Sequence, residues 1–172
     1  MISNELKQYF SMLQKGNKEA LEYIYNDMKK PIYTVSLRIV QSKEIAEDIT
    51  QEVFVKLFSS PPDSSVRDPR AWMFRMARNL SIDALRKKEC SDIDGVEIPT
   101  DDTTNEIVLK MDVDKAMAKL LPIEREIVTL HLNFDMNFVE IAKITGLSLS
   151  ASYRKYCKAI KALREMLDGG AL

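Results

Sequence analysis

Apolar side chains recur every three to four residues along most of the chain, which is typical of amphipathic helices. The first two stripes comprise Leu6, Tyr9, Phe10 and Leu13, then Leu21, Ile24, Tyr25 and Met28. Lys15-Gly16-Asn17 separates them, and Pro31 is expected to kink or restart the second helix. No stretch alternates apolar and polar residues as strands do. The pattern therefore predicts an all-α protein.

Two later helices have starting signals of their own. Ser42 can cap a helix over 43–58, and Asp68 with Pro69 opens another that runs to about residue 88. The helical spacing of apolar residues is lost over 89–106, which is rich in acids and poor in large apolar residues. We interpret this stretch as a flexible acidic linker.

The linker divides the chain into a helical domain over 1–88 and a second over 107–172. The chain has 172 residues and is 45% hydrophobic, which is enough to fill two small cores. The prediction is therefore two small helical domains joined by the linker.

The second domain contains a helix-turn-helix pattern. Pro122 suits a first helical position, and Asn137 with Glu140 forms a cap pair for the helix after it. Gly146 supplies a left-handed residue where that helix ends, and Ser148 can cap the last helix. Two helices joined by so tight a turn are typical of DNA-binding domains.

The distribution of charge changes what a formal net charge of -1 implies. Residues 89–114 carry nine acids and one lysine, a balance of -8, so the rest of the chain carries +7. The excess concentrates in 67–88, with seven cations and two acids, and in 150–164, with five cations and no acid. The second run coincides with the tight turn, which favours DNA over a merely solvated surface.

Aromatic residues are interleaved with the arginines of the first basic helix, at Trp72 and Phe74. That combination grips single-stranded nucleic acid by stacking and by backbone charge. Taken alone, Trp72 is better explained as a core anchor.

The helix over 43–58 has a second face besides its apolar stripe. Acidic and hydrogen-bonding side chains lie beside Phe54 and Phe58 at Glu44, Glu47, Asp48, Gln51 and Glu52. Such a face can dock a basic partner helix. No histidine or third carboxylate converges on it, so neither a metal site nor an acid–base pair is indicated.

Nothing in the sequence indicates an enzyme or a cofactor. His131 is a single histidine on an apolar helix, and Cys90 and Cys157 lack the spacing of a disulfide framework or a zinc site. No apolar run approaches membrane-spanning length, and the first residues lack the order of a secretory signal. The expected location is the cytoplasm.

Several stretches resemble bacterial sigma factors, specifically the small extracytoplasmic-function class with two helical domains. Residues 46–54, AEDITQEVF, resemble the helix that docks on RNA polymerase, and residues 70–87, RAWMFRMARNLSIDALRK, resemble the strand-opening helix. Residues 121–126, 140–142 and 146–148 resemble the helix-turn-helix that reads the upstream promoter element. These stretches follow one another in the family's order.

The resemblance implies a role for each stretch. The β′ clamp helices of core RNA polymerase would be bound by Asp48, Gln51, Glu52 and Phe54. The downstream promoter element would be held, as its strands part, by Ser64, Trp72, Arg75, Arg78, Asn79, Asp83, Arg86 and Lys87. The duplex upstream element would be contacted by Ser150, Ala151, Tyr153, Arg154, Lys155 and Lys158.

The resemblance also implies further partners. The loop over 60–66 would receive an unstacked base of the non-template strand. The polymerase β flap and an anti-sigma factor are expected partners as well. No catalytic residue, metal or cofactor is implied, and no direct membrane insertion.

The last helix departs from the family pattern, because Ser150-Ala151-Ser152 stands where the family has Gly-Thr-Val and Tyr153 replaces a lysine. Two packings then compete. The family packing would turn inward Ser152, Tyr156, Ala159 and Leu163. The other buries more apolar area, avoids a buried hydroxyl, and would turn inward Leu149, Tyr153, Tyr156, Ile160 and Leu163.

Two alternative functions stay open. The unusual segment over 150–153 is compatible with a sigma-like decoy that sequesters an anti-sigma factor without initiating transcription. A stand-alone helix-turn-helix regulator that binds duplex operators is the other, although it leaves the face over 48–54 and the Trp72 region unexplained.

Overall fold

The chain folds into helices throughout the part whose structure is described. The computed structural model describes residues 3–62, 66–91 and 113–168. Its helices are α1 (Ser3–Gln14), α2 (Glu19–Val40), α3 (Lys43–Ser59), α4 (Pro69–Ser91), α5 (Pro122–Leu132), α6 (Phe138–Thr145) and α7 (Leu149–Asp168). Residues 113–118 are also helical, and these described ranges contain no strand. The predicted all-α class is confirmed.

The second helix, α2, runs through Pro31 without ending. Proline removes one backbone hydrogen bond, but Met28, Ile32 and Val35 are all 1% exposed or less, so the buried face continues across it. Packing of such a face supplies most of the stability of a helix in a protein. The restart considered for Pro31 is therefore absent, and α2 ends at Val40, followed by Gln41 in left-handed backbone with a φ of 55°.

Helix α2 is the centre of the N-terminal domain and packs on α1, α3 and α4. The largest fully buried side chains of this domain are Leu6, Ile24, Met28, Ile32, Ile39, Leu57, Met73 and Phe74. Because α4 contributes to this core, the orientation of its outer surface is fixed by the buried residues beneath it.

The two domains are in direct contact, since α2 packs on α5 and α4 packs on α6. The larger cluster of buried apolar side chains therefore crosses between the domains, and its C-terminal members are Ile127, Leu130, Met136, Ile141 and Ile144. A smaller cluster belongs to the C-terminal domain alone and includes Ala116, Met117, Leu120, Val128, Ala159 and Leu163. The domain limits at 88 and 107 stay a prediction, and most of the linker over 89–106 lies outside the described residues.

The helix-turn-helix has the local geometry that its sequence predicts. The Asn137 side chain accepts a hydrogen bond from the N–H of Glu140 at 3.0 Å, and the Glu140 carboxylate accepts one from the N–H of Asn137 at 2.9 Å. Gly146 ends α6 with a φ of 74°, and the Ser148 hydroxyl caps α7 by accepting from the N–H of Ala151 at 3.2 Å. The start and end of α6 and the start of α7 are thus each set by a short-range interaction.

Helix α7 adopts the family packing. Its inward side chains are the buried Ser152, Ala159 and Leu163 and the half-buried Tyr156. The Ser152 hydroxyl donates to the Ser148 carbonyl at 3.0 Å, so its burial leaves no unpaired donor. Leu149 and Tyr153 are 52% and 55% exposed, and the packing chosen by apolar area alone is therefore wrong.

The turn between α6 and α7 gives a test of stability. Gly146→Ala is expected to lower the free energy of unfolding by about 1 kcal/mol, because alanine is strained in left-handed backbone. No atom lies within 4 Å of the added Cβ, so the loss is one of backbone strain. Urea denaturation followed by circular dichroism measures it. Gly146→Asn is the matched control and should lose less, since asparagine tolerates this conformation better; equal losses would contradict the explanation.

Candidate nucleic-acid interface

The outer surface of α4 carries most of the residues predicted to hold the downstream element. The helix begins at Pro69, and Asp68 caps it by accepting from the N–H of Ala71 at 3.0 Å. Its buried inner positions include Met73, Phe74 and Ala77. The predicted DNA contacts that are exposed on it are Arg75, Asn79, Asp83, Arg86 and Lys87.

Arg78 is turned toward the C-terminal domain. Its Nε lies 3.1 Å from Oε2 and 3.0 Å from Oε1 of Glu126 on α5. The Arg78 side chain is 18% exposed and that of Glu126 only 2%. Burial raises the pKa of Glu126 to about 7, although the charge of Arg78 acts in the opposite direction. The pair is therefore a buried ion pair between the domains.

Two more arginines of α4 bond to the same domain. Nη2 of Arg70 donates to the Phe134 carbonyl at 2.8 Å, and Nη2 of Arg75 donates to the Lys143 carbonyl. The rings of Phe74 and Phe134 meet beside them, with centroids 5.3 Å apart. The basic patch predicted on α4 is therefore partly covered by the helix-turn-helix, an arrangement that the sequence analysis did not anticipate.

The other predicted residues of this surface differ in their environment. Trp72 is half-buried, with its ring edge-on to Phe10 at a centroid distance of 6.2 Å, which supports the core-anchor interpretation. Asp83 and Arg86 form an exposed pair 3.8 Å apart, and such pairs contribute little. Ser64 lies outside the described residues.

An open cavity of about 520 Å³ lies between α1 and the start of α4. Its lining consists of Lys7, Phe10, Ser11, Gln14, Val66, Arg67 and Pro69. The side chain of Gln14 donates to the Pro62 carbonyl, which ties the loop ahead of α4 to α1. The sequence analysis missed the part played by α1. The signal was available, because Lys7, Ser11 and Gln14 are polar residues at helical spacing on one face.

The predicted upstream-element residues share the outer side of α7. Exposed or half-buried there are Ser150, Ala151, Tyr153, Arg154, Lys155 and Lys158. The Tyr153 ring lies edge-on to that of Phe138 on α6, with centroids 5.3 Å apart. Nζ of Lys158 is 3.3 Å from Glu124, but the lysine side chain is 72% exposed, so this pair holds it only weakly.

The acidic face predicted on α3 is present. Asp48, Gln51 and Glu52 are exposed, and Glu52 forms an exposed pair with Lys56 at 2.7 Å. The helical period of the apolar residues predicted this face. The apolar stripe on the opposite side of α3 is buried, as that period requires.

Phe54 differs from the other predicted polymerase contacts. It is 6% exposed, and its ring packs edge-on against Tyr25 at a centroid distance of 4.8 Å. In this structure Phe54 therefore belongs to the core beneath α3. The apolar side chains exposed near the acidic face are Val55 at 61% and Phe58 at 46%, and the sequence analysis missed Val55.

Two further kinds of feature, a metal site and a membrane-spanning helix, are absent from the described residues. Among them no three His, Cys, Asp or Glu side chains are grouped so that they could hold a metal ion. No helix in this part of the chain is long and apolar enough to cross a membrane.

An exposed acidic face on α3, a basic helix α4 and a helix-turn-helix on one all-α chain fit the class of a transcription factor with several macromolecular contacts. Residues 24–89 match the family Sigma-70 region 2, and residues 110–163 match Sigma-70, region 4. The chain therefore belongs to the sigma-70 family, in the extracytoplasmic-function class. It binds core RNA polymerase and directs promoter-specific initiation of transcription, as the sequence predicted. Members of this family are initiation factors rather than catalysts.

Named relatives agree with this assignment. The chain is 24% identical to ECF RNA polymerase sigma factor SigW of Bacillus subtilis, over 97% of each chain. It is 21% identical to SigK of Mycobacterium tuberculosis, over 97% of this chain and 96% of that one.

Two solved structures share the fold. CnrH in complex with the cytosolic domain of CnrY has a TM-score of 0.74 and 21% identity, over 96% of this chain and 98% of that one. RpoE of Bartonella quintana in complex with the anti-sigma factor NepR has a TM-score of 0.71 and 21% identity, over 86% and 96%.

The buried pair gives a test by pH. The pKa of Glu126 rises from 4.5 to about 7, so this carboxyl binds its proton more tightly in the folded state than in the unfolded one. Its contribution to the free energy of unfolding is present in full below about pH 4.5 and is lost as the pH rises through about 7. Glu126→Gln is expected to remove that pH dependence, which amounts to about 3 kcal/mol at most.

Chemical denaturation of wild type and variant at several pH values measures the difference. Glu165→Gln, which removes a 67% exposed carboxylate from α7, is the control and should keep the wild-type profile. Parallel profiles for wild type and Glu126→Gln would contradict the assignment.

Proposed function

We propose that three surfaces of the chain divide the work of initiation: α3 docks on core RNA polymerase, α4 holds the opened downstream element, and α7 reads the duplex upstream element. The observation that carries this proposal is the order of region 2 and region 4 along the chain. In addition, α3 exposes an acidic face and α7 a basic one.

The docking proposal rests on the outer face of α3. Asp48, Gln51 and Glu52 offer acceptors to a basic partner helix, the β′ clamp helices of the polymerase. The pair between Glu52 and Lys56 is about half exposed on both sides, so exchanging it for an intermolecular contact costs little. The exposed Phe58 can supply apolar contact at the edge of this face.

The strand-holding proposal rests on α4 and the cavity beside it. Cations such as Arg86 and Lys87 contact phosphates without regard to sequence, and Asn79 can hydrogen-bond to base edges. The cavity is lined by Val66, the last residue of the loop predicted to receive a base, and it has room for an unstacked base.

The upstream-element proposal rests on the exposed start of α7. A recognition helix enters the major groove with its first residues toward the bases, which here are Ser150, Ala151 and Tyr153. Arg154, Lys155 and Lys158 follow and suit the phosphates on either side of the groove. The polymerase β flap would hold this domain over the upstream element.

Regulation and location belong to the same proposal. An anti-sigma partner is supported by the two related folds, which were solved as CnrH in complex with the cytosolic domain of CnrY and as the sigma factor RpoE in complex with the anti-sigma factor NepR. We expect the chain to act in the cytoplasm, with no cofactor and no catalytic activity, because its contribution is binding energy.

Polymerase docking is tested on α3. The double variant Asp48→Ala, Glu52→Ala is expected to bind core polymerase about tenfold or more weakly, because it removes two charged contacts. Retention of the chain on immobilised core enzyme measures the affinity. Glu19→Ala, Glu22→Ala is the matched control, since it removes two carboxylates from α2. Unchanged binding by the α3 variant would refute the docking face, and a wild type that never bound the core enzyme would favour a decoy.

Contact with the upstream element is tested on α7. Lys155→Ala is expected to weaken promoter binding by holoenzyme on all sequences alike, and to reduce the slope of log affinity against log salt by about one. Lys115→Ala, an exposed lysine of the same domain outside α7, is the control and should leave the slope unchanged. A slope unaffected by Lys155→Ala would contradict a phosphate contact at this residue.

A further inference from the structure

The first half of α7 carries an exposed apolar strip, which consists of Leu149, Tyr153 and Cys157. These residues follow one another at a spacing of four, so they share one side of the helix. Leu149 is 52% and Tyr153 55% exposed, and the Cys157 thiol is exposed as well. The exposed cations Arg154 and Lys158 flank the strip. The surface therefore suits a ligand that offers apolar groups between phosphates.

The Tyr153 side chain is held in place although it is exposed. Its ring lies edge-on to that of Phe138, with centroids 5.3 Å apart and an interplanar angle of 88°, a favoured geometry for aromatic pairs. Its hydroxyl donates a hydrogen bond to the Cys157 side chain, which raises the pKa of Tyr153. A side chain that is already ordered loses less conformational entropy when it contacts a ligand.

Phe138 is anchored in turn by two further rings. The ring of His131, at the end of α5, stacks on it with centroids 4.7 Å apart, and that of Tyr156 lies edge-on at 5.3 Å. Nδ1 of His131 donates to the Met136 carbonyl at 2.8 Å, which fixes the imidazole. An aromatic cluster thus joins the ends of three helices, and its members are His131, Phe138, Tyr153 and Tyr156.

Tyr153 presents its ring to a ligand rather than its hydroxyl. The hydroxyl is engaged by Cys157, and a single edge-on contact with Phe138 covers at most one face of the Tyr153 ring. The group left open is therefore flat and apolar. Tyrosine is also uncharged at neutral pH, so it cannot form the ion pair with a phosphate that a lysine at this position would form.

Thymine is the base whose major-groove edge offers an apolar group. Its C5-methyl group projects into the groove, where apolar side chains contact it, whereas the edges of the other three bases are distinguished by donors and acceptors. A recognition helix brings its N-terminal residues to the base edges, and Tyr153 lies near the N-terminal end of α7. The chemistry of the open ring therefore matches thymine best.

We propose that Tyr153 reads the C5-methyl group of a thymine in the upstream element, and that Phe138 positions the Tyr153 ring for this contact. Phe138 acts through Tyr153 and makes no contact with DNA itself. The inference rests on the proposed function of α7 and adds to it the base that is read.

Two libraries of duplexes with a randomised upstream segment test the methyl contact. One is made with thymidine triphosphate and the other with deoxyuridine triphosphate, whose base lacks the methyl group. Holoenzyme reconstituted from core RNA polymerase and the full chain selects duplexes from each. At one position, wild type should enrich thymine about fourfold more than uracil, the ratio expected for burying one methyl group. Equal enrichment of the two bases at every position would overturn the proposal.

Substitutions of Tyr153 assign the preference to its ring. Tyr153→Ala should abolish the thymine preference without changing the slope of log affinity against log salt, because no charge is lost. Tyr153→Phe keeps the ring and should keep the preference. Leu132→Ala, an apolar truncation at a 55% exposed position outside α7, is the control and should behave as wild type. A preference that survives Tyr153→Ala, or that is lost in Tyr153→Phe, would contradict reading by the ring.

The positioning role of Phe138 is tested by removing its ring while keeping an apolar side chain. Phe138→Leu should lower the ratio of thymine to uracil toward one, with an unchanged salt slope and an unchanged helical signal in circular dichroism. Phe138→Tyr restores a ring at this place and should restore the ratio. A uniform loss of affinity for both libraries with the ratio preserved would show that Phe138 only supports the fold, and would overturn its positioning role.

Contact of the apolar strip with polymerase is the competing outcome. Tyr153→Ala should be retained on immobilised core enzyme as well as wild type is. Weaker retention with an unchanged thymine preference would assign the strip to a protein contact and overturn the proposal.

Failure of this inference and failure of the proposed function give different results. If wild-type holoenzyme enriched no sequence from either library, the proposed function would be refuted, and this inference with it. A sequence enriched equally from both libraries would refute the reading of the methyl group alone.

Discussion

The arrangement of the domains depends on two adjacent charges that the fold takes out of water. Arg125 and Glu126 are 5% and 1% exposed, and each obtains a partner from the N-terminal domain. A buried charge without a partner is strongly destabilising, whereas one with hydrogen-bonded partners is tolerated. The partners lie on α2 and α4, so the start of α5 reaches its present environment only when the domains are together.

This constraint connects stability with function. The apolar core that crosses the interface includes Ile127 and Ile141, and their burial stabilises the contact between the domains. The desolvation cost of the buried Arg125 and Glu126 acts against that contact. Interfaces of such mixed character between domains are commonly reversible. A factor whose two domains contact separate promoter elements needs an interface between those domains that can dissociate.

The sequence predicted what depends on near neighbours. The caps at Asp68, Asn137 and Ser148 and the left-handed Gly146 follow from residues within one turn of each other, and each is present. The two-domain helical class followed in the same way from periodicity. Predictions that depended on packing over longer distances were less reliable: Phe54, predicted as a polymerase contact, is buried.

The partners of Arg70, Arg75 and Arg78 could not be predicted, because they are set by packing between residues about fifty to seventy positions apart. A partial signal did exist. Charged residues at 124–126 sit between Ile123 and Ile127 at the start of an apolar helix, which indicates charges held at a buried surface. Without the structure of the other domain, nothing in that pattern identifies the partners of these charged residues.

The two helices that we propose contact DNA are left in different environments by this packing. Helix α7 packs mainly on α5 and α6 of its own domain and keeps Arg154 exposed, whereas α4 has three arginines engaged by the neighbouring domain. Under the proposed function, the chain with its domains in contact can approach duplex DNA through α7 before it can hold a single strand. The order of the contacts would then follow from which cations are exposed first.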